Sequence, residues 1–387
     1  MPAFVSQSQL NAGHGFRVRQ SLARTIVAAF LPALLLIAQP LSPARAEGFK
    51  LGLSLPLSGS ASLLGKQFLQ GARLALDVLA PGGEIELVVA DDGCDAEIAA
   101  LAIAEIKASS PAFVTGLLCN DPARLAVETF APQKIPVFVA GARSERLLKD
   151  AAKEGWRTWR LAASDKAGAE AAYRYLSQRW KGIPWAIVDD GTVYGRTIAD
   201  EFRARMEEFG NPPQFADNFR PAQSTQAGLI RRLQKAGVSA AFIAASAEDT
   251  AIIAANTRDF GAKFEIAGGE ALSGLQWLPD VASVPDGLLA VMESEPATRS
   301  SAKSFNALLE ARGIEPEPEI YRGYATIEIA LAALRSTPAQ TMDALGQTVF
   351  RTVLGNIGFD SSGANMADNY ALFVWRNGSF EPVEGIQ

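Results

Sequence analysis

The feature that most limits the fold of this chain is a repeated alternation of short β-type runs with amphipathic helical runs. From residue 49 onwards, each short aliphatic run is followed by a segment with apolar residues at helical spacing. This order predicts a parallel, doubly wound sheet with helices packed on it. In the first set we predict strands at Phe49–Leu55, Ile85–Ala90, Phe113–Leu118 and Val137–Ala140, and helices at Leu64–Leu79, Ala96–Ala108 and Ala123–Pro132.

The same pattern begins again further along the chain. In the second set we predict helices at Ala167–Arg179, Thr197–Phe209, Thr225–Ala236 and Thr250–Phe260, and strands at Trp185–Val188, Gln214–Asn218, Ala240–Ala244 and Phe264–Ala267. Two sets of similar size predict an α/β fold of two doubly wound parallel-sheet lobes, with a ligand cleft between them.

The C-terminal part is predicted to contribute to both lobes. Helices are predicted at Ala302–Arg312, Tyr321–Arg335 and Met342–Val353, and a strand pair at Ile357–Phe359 and Tyr370–Trp375. We predict crossovers between the lobes near 160–164, 288–296 and 352–356. The predicted boundaries are 47–162 plus 292–352 for lobe one, and 163–291 plus 353–387 for lobe two.

The N-terminus reads as an export signal. Three arginines precede the apolar run Thr25–Ala38, and small residues at a typical cleavage position end at Ala46. A membrane anchor is the alternative, but it needs about 20 apolar residues. This run is shorter and is interrupted by Pro32. We therefore predict a cleaved signal peptide at 1–46 and a mature protein in the periplasm.

Removal of this segment excludes several function classes. It holds the only histidine, His14, and four arginines without an acid, so the mature 341 residues carry 32 basic and 42 acidic side chains. A net charge of −10 disfavours nucleic acid and anionic membranes as partners.

The lack of histidine excludes a Ser-His-Asp triad, a Cys-His pair and histidine zinc sites. A hydrolase with two carboxylates survives, but Asp91 and Asp92 are neighbours and face opposite ways in a strand. We expect no catalytic residues, no metal and no cofactor.

Two cysteines remain, Cys94 and Cys119. An even pair in an exported protein usually forms a disulfide, and two free buried thiols are the alternative.

Candidate ligand contacts in lobe one follow the predicted strands, because ligands of open α/β sheets bind beyond the carboxyl ends of the strands. Ser58 lies in a Ser/Gly turn that either presents N–H groups and hydroxyls to an anion or is an ordinary turn. The acids of 91–95 either bind a metal or, more simply, Asp95 caps the next helix and the others are solvated. Asn120 and the segment 140–144 follow two adjacent strands, so Asn120, Ser144 and the neighbouring N–H groups are placed to converge on a carboxylate. Arg143 either adds a full charge there or points to solvent.

Two candidates come from lobe two. Tyr194 follows Trp185–Val188 and either covers a ligand or packs on its own helix. Glu270 follows a strand and two glycines, and it either meets an ammonium group or is solvated. No glycine-rich phosphate motif is present in the sequence, which disfavours nucleotide binding.

In this order and spacing, several motifs resemble one family. They are Pro56-Leu57-Ser58-Gly59, DDGCD at 91–95 with GLLCN at 116–120, VAGARSERL at 139–147, DDGTVYG at 189–195, GGEAL at 268–272 and YRGYATIEIALAAL at 321–334. The sequence resembles the type I periplasmic binding proteins, specifically the leucine/isoleucine/valine-binding group that serves ABC importers. The resemblance covers essentially all of 47–387.

The resemblance implies two lobes that are joined by three crossovers and close on a small ligand. It implies a Cys94–Cys119 disulfide, and a ligand α-carboxylate bound by the turns after strands three and four. It also implies an α-ammonium met by Glu270. The implied lobe-one contacts are Ser58, Asn120, Ala142, Arg143 and Ser144, and the implied aromatic contacts are Tyr194 with Tyr321 or Tyr324.

Three positions depart from the family pattern. Asn120 stands where the family has a hydroxyl residue, Arg143 stands where it has Thr, and Ala61–Leu64 lacks the usual aromatic residue. Arg143 is the most informative change, because a guanidinium favours an anionic ligand or a second carboxylate over a plain aliphatic amino acid.

The resemblance implies the solute-binding component of an ABC importer. The expected ligand is an amino acid or a related amino/carboxylate compound, and the expected partner is an ABC permease in the inner membrane. We expect a monomer that is not an enzyme. A ligand-sensing receptor domain of the same fold is the alternative.

Overall fold

The structure is a computed structural model, and it describes residues 48–279, 283–335, 345–346 and 348–383. The predicted signal peptide lies outside the described residues. So do residues 342–344 and 347, which belong to the predicted helix Met342–Val353. In the described part of the chain, no helix is both long enough and apolar enough to cross a membrane.

Lobe one is built on a five-stranded parallel sheet with the order β2-β1-β3-β4-β5. Its strands are β1 (Phe49–Leu55), β2 (Ile85–Asp91), β3 (Phe113–Gly116), β4 (Val137–Val139) and β5 (Thr158–Arg160), and its first helices are α1 (Ser62–Leu79), α2 (Ala96–Ala108), α3 (Asn120–Phe130) and α4 (Glu145–Glu154). The elements α4 and β5 were not predicted.

Lobe two follows with the same βα alternation. Its strands are β6 (Trp185–Asp189), β7 (Phe215–Asn218), β8 (Ala240–Ala244), β9 (Glu265–Gly268) and β10 (Leu289–Glu293), and its helices are α5 (Ala167–Arg179), α6 (Val193–Glu208), α7 (Ala227–Ala236) and α8 (Ala247–Asp259). The strand β10 was not predicted, and it lies within the segment that we predicted as a crossover.

The C-terminal part returns to both lobes. It comprises α9 (Lys303–Ala311), α10 (Pro318–Arg335), β11 (Phe350–Thr352), β12 (Gly355–Ile357), β13 (Tyr370–Arg376) and β14 (Ser379–Pro382). The strands β13 and β14 complete a seven-stranded sheet in lobe two with the order β14-β13-β10-β9-β8-β6-β7.

Two C-terminal predictions are wrong. Residues 350–352 form β11 of a small hairpin with β12, so the predicted helix does not reach Val353. The segment Tyr370–Trp375 is a strand, but it pairs with β10 and β14 and not with Ile357–Phe359. The turn at Asn377-Gly378 connects β13 to β14, and positive φ at both positions suits this tight hairpin.

The third crossing between the lobes lies later than predicted. Val353, Leu354, Ile357 and Phe359 are buried in the lobe-one core. The chain therefore crosses after residue 359 and enters lobe two at β13, and the predicted boundary at 352/353 falls inside a hairpin of lobe one. The other crossings are 161–166, between β5 and α5, and 294–302, between β10 and α9.

Close packing of α1 on α10 closes the lobe-one core. A Cβ on Gly71 would lie 2.0 Å from the carbonyl oxygen of Ile320, and a Cβ on Gly323 would lie 2.1 Å from that of Phe68. Glycine at both positions lets the two backbones approach, so that Phe68 and Ile320 are both buried.

Candidate functional site

The turn after β4 carries the central residue of the site, Arg143. A second arginine, Arg160 at the end of β5, fixes the backbone of this turn although only 3% of it is exposed. Its Nη1 donates to the carbonyl oxygens of Arg143 at 3.0 Å and Ser144 at 2.8 Å, and its Nε donates to that of Ala162 at 3.2 Å. The turn and the first crossover are therefore tied to one buried guanidinium.

Arg143 forms a bidentate ion pair with Glu270, which is the first residue of a 3₁₀ helix after β9 in lobe two. Nη1 donates to Oε1 at 2.7 Å and Nη2 donates to Oε2 at 2.9 Å. The hydroxyl of Tyr370, at the start of β13, accepts from Nη2 at 2.8 Å and donates to Glu270 Oε2 at 3.1 Å. The structure thus connects the lobes through a cluster that we name the Arg143–Glu270–Tyr370 cluster.

The guanidinium of Arg143 is also anchored on the first crossover. Nε donates to the carbonyl oxygen of Ala163 at 3.2 Å, and Nη2 donates to that of Ser164 at 3.3 Å. The geometry is planar bidentate recognition of a carboxylate, for which arginine is suited and lysine is not.

The protonation states of this cluster follow from its surroundings. Burial alone would lower the pKa of Arg143, but the hydrogen bonds and the charge of Glu270 raise that pKa above its usual value. Burial, with the negative charge of Glu270, raises the pKa of Tyr370. Both groups therefore keep their protons at neutral pH, and Tyr370 can donate to the carboxylate.

A cavity of about 500 Å³ adjoins the cluster, a volume that suits a small solute. Its lining comprises Arg143, Asp165, Gly168, Tyr194, Thr197, Ile198, Gly269, Glu270 and Ala271. Half of the surface of Tyr194 is exposed, and its ring belongs to the wall of the cavity. Burial, with the charge of Glu270, raises the pKa of Tyr194, so its hydroxyl is neutral.

The predicted carboxylate-binding residues lie beside the cluster, at two helix N-termini. Asn120 begins α3, and Ser144 immediately precedes α4. Asn120 Oδ1 accepts a hydrogen bond from the backbone N–H of Ser144 at 3.3 Å, so the two turns are in contact. Both residues line a separate groove of lobe one, and neither lines the cavity at Glu270. Ala142 is buried, with its N–H donated to the carbonyl oxygen of Leu117.

The turn after β1 is an ordinary turn, which is one of the two interpretations that the sequence allows. The N–H groups of Leu57 and Ser58 do not face an anion site, because both donate to Oδ1 of Asp91, at 2.8 and 3.1 Å. Gly93 N–H donates to the same oxygen at 2.9 Å. Ser58 lies outside the lining of the cavity at Glu270, so the structure gives it a role in turn formation.

The acids after β2 also have structural partners. Asp95 caps α2 as predicted, accepting from the N–H groups of Glu97 and Ile98. Asp92 is not solvated as expected: it is fully buried, accepts from Ser54 Oγ at 2.7 Å, and burial raises its pKa. Within the residues that the structure describes, no group of three or more His, Cys, Asp or Glu side chains is arranged to hold a metal.

The Cys94–Cys119 disulfide is present, with a Cα–Cα distance of 5.4 Å. It joins the turn after β2 to the residue that precedes α3. The disulfide therefore holds the Asp91 turn and the Asn120 turn together.

Two tyrosines lie away from the predicted position. Tyr321 is fully buried in the lobe-one core, where its hydroxyl donates to Asn306 Oδ1 at 2.6 Å. Tyr324 packs on Phe305 with ring centroids 4.2 Å apart. Neither ring lines the cavity at Glu270, because the apolar face of α10 packs them against α9.

Sequence reasoning missed Tyr370 and two residues of the cleft. Asp165 lies in the first crossover and lines the same cavity. Trp277 is 80% exposed and lines a second cavity, of about 530 Å³, that also includes Glu270. Both residues could have been recognised as candidate ligand contacts, because Trp277 is a large exposed apolar side chain and Asp165 is an acid in a crossover. Tyr370 gave no such signal, because it reads as an ordinary strand residue.

Comparisons with known proteins identify the family and the fold of this chain. Residues 48–379 match the model of the periplasmic binding protein family. The Leu/Ile/Val-binding protein homolog 2 of Brucella abortus is 24% identical over 337 residues, which cover 84% of this chain and 90% of that protein.

Solved structures show the same fold. A putative branched-chain amino acid ABC transporter protein of Rhodospirillum rubrum superposes with a TM-score of 0.72 at 20% identity, over 87% of this chain and 100% of that one. A solute-binding protein of an ABC transporter from Rhodopseudomonas palustris, in complex with 3,4-dihydroxybenzoic acid, gives 0.65 at 18% identity, over 88% and 96%.

A two-lobed α/β chain with a solute-sized cavity at the strand ends has the architecture of a periplasmic binding protein. This chain belongs to the periplasmic binding protein family, as its motifs indicated.

Proposed function

We propose that the mature protein is the periplasmic solute-binding component of an ABC importer. It takes an amino acid or a related amino/carboxylate compound into the cleft at the Arg143–Glu270–Tyr370 cluster. The observation that carries this proposal is the contact between Arg143 of lobe one and Glu270 of lobe two, beside a cavity at the carboxyl ends of the strands.

The relatives support a small carboxylate as the ligand. The Brucella relative is named for leucine, isoleucine and valine, and the Rhodopseudomonas neighbour holds a dihydroxybenzoic acid. These ligands share a carboxylate, while only the amino acids carry an ammonium group.

The polar ends of two helices supply a fitting carboxylate site in lobe one. Asn120 and Ser144 stand at the N-termini of α3 and α4, where backbone N–H groups and the helix dipoles favour an anion. Ser144 adjoins Arg143 in the chain, so we propose that the ligand lies between the groove of Asn120 and Ser144 and the cavity that Arg143 lines. Tyr194 of lobe two forms an aromatic wall for the rest of the ligand.

Closure follows from contacts on both sides of the cleft. A ligand that touches Ser144 in lobe one and Tyr194 in lobe two stabilises the conformation in which both contacts exist. We propose that an ABC permease recognises this closed monomer. The predicted signal peptide at 1–46 delivers the protein to the periplasm.

A thermal-shift screen tests the ligand class directly. The purified protein, freed of bound solute by unfolding and refolding, is heated with amino acids, their amides and small carboxylates. We expect at least one carboxylate to raise the Tm by several degrees at millimolar concentration, since a ligand that binds the folded state stabilises it. Lack of stabilisation by every compound contradicts the proposed ligand class.

A further inference from the structure

We propose that Arg143 takes the place of a ligand's ammonium group at Glu270, so that the ligand of this protein is a small carboxylic acid without an ammonium group. The inference rests on the proposed function, because it concerns the same cavity. It narrows the ligand from amino/carboxylate compounds in general to those that lack the amino group.

The carboxylate of Glu270 is already satisfied within the protein. Both of its oxygens accept from Arg143, at 2.7 and 2.9 Å, and Oε2 accepts a third hydrogen bond from Tyr370 at 3.1 Å. The charge of Glu270 is neutralised by the guanidinium that it contacts. An arriving ammonium group therefore meets a carboxylate whose charge is already balanced and of which three hydrogen-bonding positions are occupied.

Arg143 is held in place by contacts within the protein. Its guanidinium also donates to the carbonyl oxygens of Ala163 and Ser164 in the first crossover. Arg160 holds the backbone of the Arg143 turn by donating a hydrogen bond to the carbonyl oxygen of Arg143. These anchors all lie in lobe one or in the crossover, so they keep Arg143 at the base of the cleft.

A free ammonium group competes poorly with this arrangement. Arg143 is tethered to the protein and meets the carboxylate through two parallel N–H groups, whereas an ammonium is a compact, strongly hydrated charge. Displacement would also leave the guanidinium of Arg143 partly buried without its counter-charge, since only 34% of that side chain is exposed.

Asp165, the other acid that lines the cavity, would attract a ligand ammonium group only weakly. Asp165 is exposed to solvent, and attraction between exposed charges in water is small. The opposite wall, formed by Tyr194, Thr197 and Ile198, carries no charge. This wall suits a neutral aliphatic or aromatic group attached to the ligand carboxylate.

Matched ligand pairs test the inference on the unmodified protein. Leucine is compared with 4-methylpentanoate and 4-methyl-2-oxopentanoate, and phenylalanine with 3-phenylpropanoate, by isothermal titration calorimetry after refolding. We expect a compound without the ammonium group to bind at least tenfold more tightly than the amino acid of the same skeleton.

Replacement of Arg143 should reverse this preference. In Arg143→Ala and in Arg143→Gln, Glu270 becomes available to an ammonium group, and affinity for the amino acids should rise at least tenfold. The double variant Arg143→Ala with Glu270→Gln should lose that gain. Arg205→Ala is the matched control, because Arg205 forms a similar bidentate pair with Glu170 inside lobe two and lies outside the lining of the cavity.

The outcomes separate the two proposals. An unmodified protein that binds leucine or phenylalanine more tightly than their counterparts overturns the inference and leaves the proposed function intact. Binding of none of these probes, together with a negative thermal-shift screen, overturns the proposed function itself. The comparison on the unmodified protein decides the inference even where an Arg143 variant fails to fold.

Discussion

The turns that follow β2 and β9 share a local pattern but use their acids differently. Each has an acid near a glycine where a strand ends: Asp91 is the last residue of β2 and lies two positions before Gly93, and Glu270 follows Gly269 after β9. Asp91 accepts three backbone N–H groups, all from its own lobe. Glu270 instead pairs with Arg143 of the other lobe, 127 positions away in the sequence.

The difference shows that the source of an acid's partners decides its role. A carboxylate with partners in its own lobe stabilises that lobe and is unaffected by lobe movement. A carboxylate with a partner across the cleft depends on the relative position of the lobes, and a ligand in the cleft competes for its contacts. The comparison predicts that changes around Asp91 alter stability, whereas changes at Glu270 alter ligand binding.

The largest expected effect is removal of the disulfide beside the Asp91 turn. Cys94→Ser combined with Cys119→Ser should lower the free energy of unfolding by about 3.5 kcal/mol, because the bond closes a loop with a sequence separation of 25. Urea denaturation measures the loss. Ligand affinity, measured by calorimetry under native conditions, should stay within about twofold, and a large change in affinity would contradict the comparison.

Asp91→Ala should lower the free energy of unfolding by about 2 kcal/mol, because three N–H groups lose their acceptor. Burial would raise the pKa of Asp91, but hydrogen bonds from Ser58 and the backbone outweigh it and lower that pKa below 3.8. The ionised carboxylate therefore stabilises the fold above pH 3.8, and this contribution is lost as the pH falls through the folded-state pKa. Urea denaturation at pH 7 and pH 3 measures the free energy of unfolding of both proteins. The difference between Asp91→Ala and the parent should be smaller at pH 3 than at pH 7.

Glu270→Gln should change ligand selection and lower the free energy of unfolding by only about 1 kcal/mol, because the ion pair with Arg143 is partly exposed. The guanidinium of Arg143 would lose its counter-charge, so preference for succinate over butanoate should rise about tenfold, or about 1.4 kcal/mol. Competition calorimetry measures the ratio. Glu170→Gln, which breaks the comparable pair with Arg205, is the control and should leave the ratio unchanged. An equal shift in both variants would show that the effect is not specific to the cleft.

The smallest effect concerns a third acid, Glu328 on α10. Burial raises its pKa to about 7, although the N–H of Val353 opposes the shift. Because the folded-state pKa exceeds the ordinary value, the protonated form stabilises lobe one below pH 4.5, and this contribution is lost as the pH rises through 7. Between pH 5 and pH 8, the free energy of unfolding of the parent should fall by about 1 kcal/mol more than that of Glu328→Gln, after allowance for the partial exposure of Glu328. Thermal unfolding at pH 5 and pH 8 measures this difference. An equal change with pH in the parent and in Glu328→Gln would contradict the raised pKa of Glu328.

Local sequence signals predicted most of the elements. The bounds of α2, α5 and β8 agree with the prediction, and the capping residue Asp95 marks the start of α2. The short strand β5 carries too few residues to show a period, and the strand pairing of Tyr370–Arg376 depends on partners far away in the chain.

The site was predictable only in part. Position after a strand singled out Arg143, Glu270 and Tyr194, all of which line one cavity. The sequence assigned Arg143 and Glu270 to opposite ends of a ligand. Their contact with each other is a long-range property that no local motif encodes. The family resemblance implies an aromatic contact from Tyr321 or Tyr324, but helix packing buries Tyr321 in the lobe-one core.

The buried Arg160 has an entropic consequence for binding. A surface turn usually loses conformational freedom when a ligand orders it, and that loss reduces affinity. Here the carbonyl groups of Arg143 and Ser144 are held by Arg160 in the folded chain. The ordering cost is therefore met during folding, and a solute that reaches Ser144 encounters a preorganised surface.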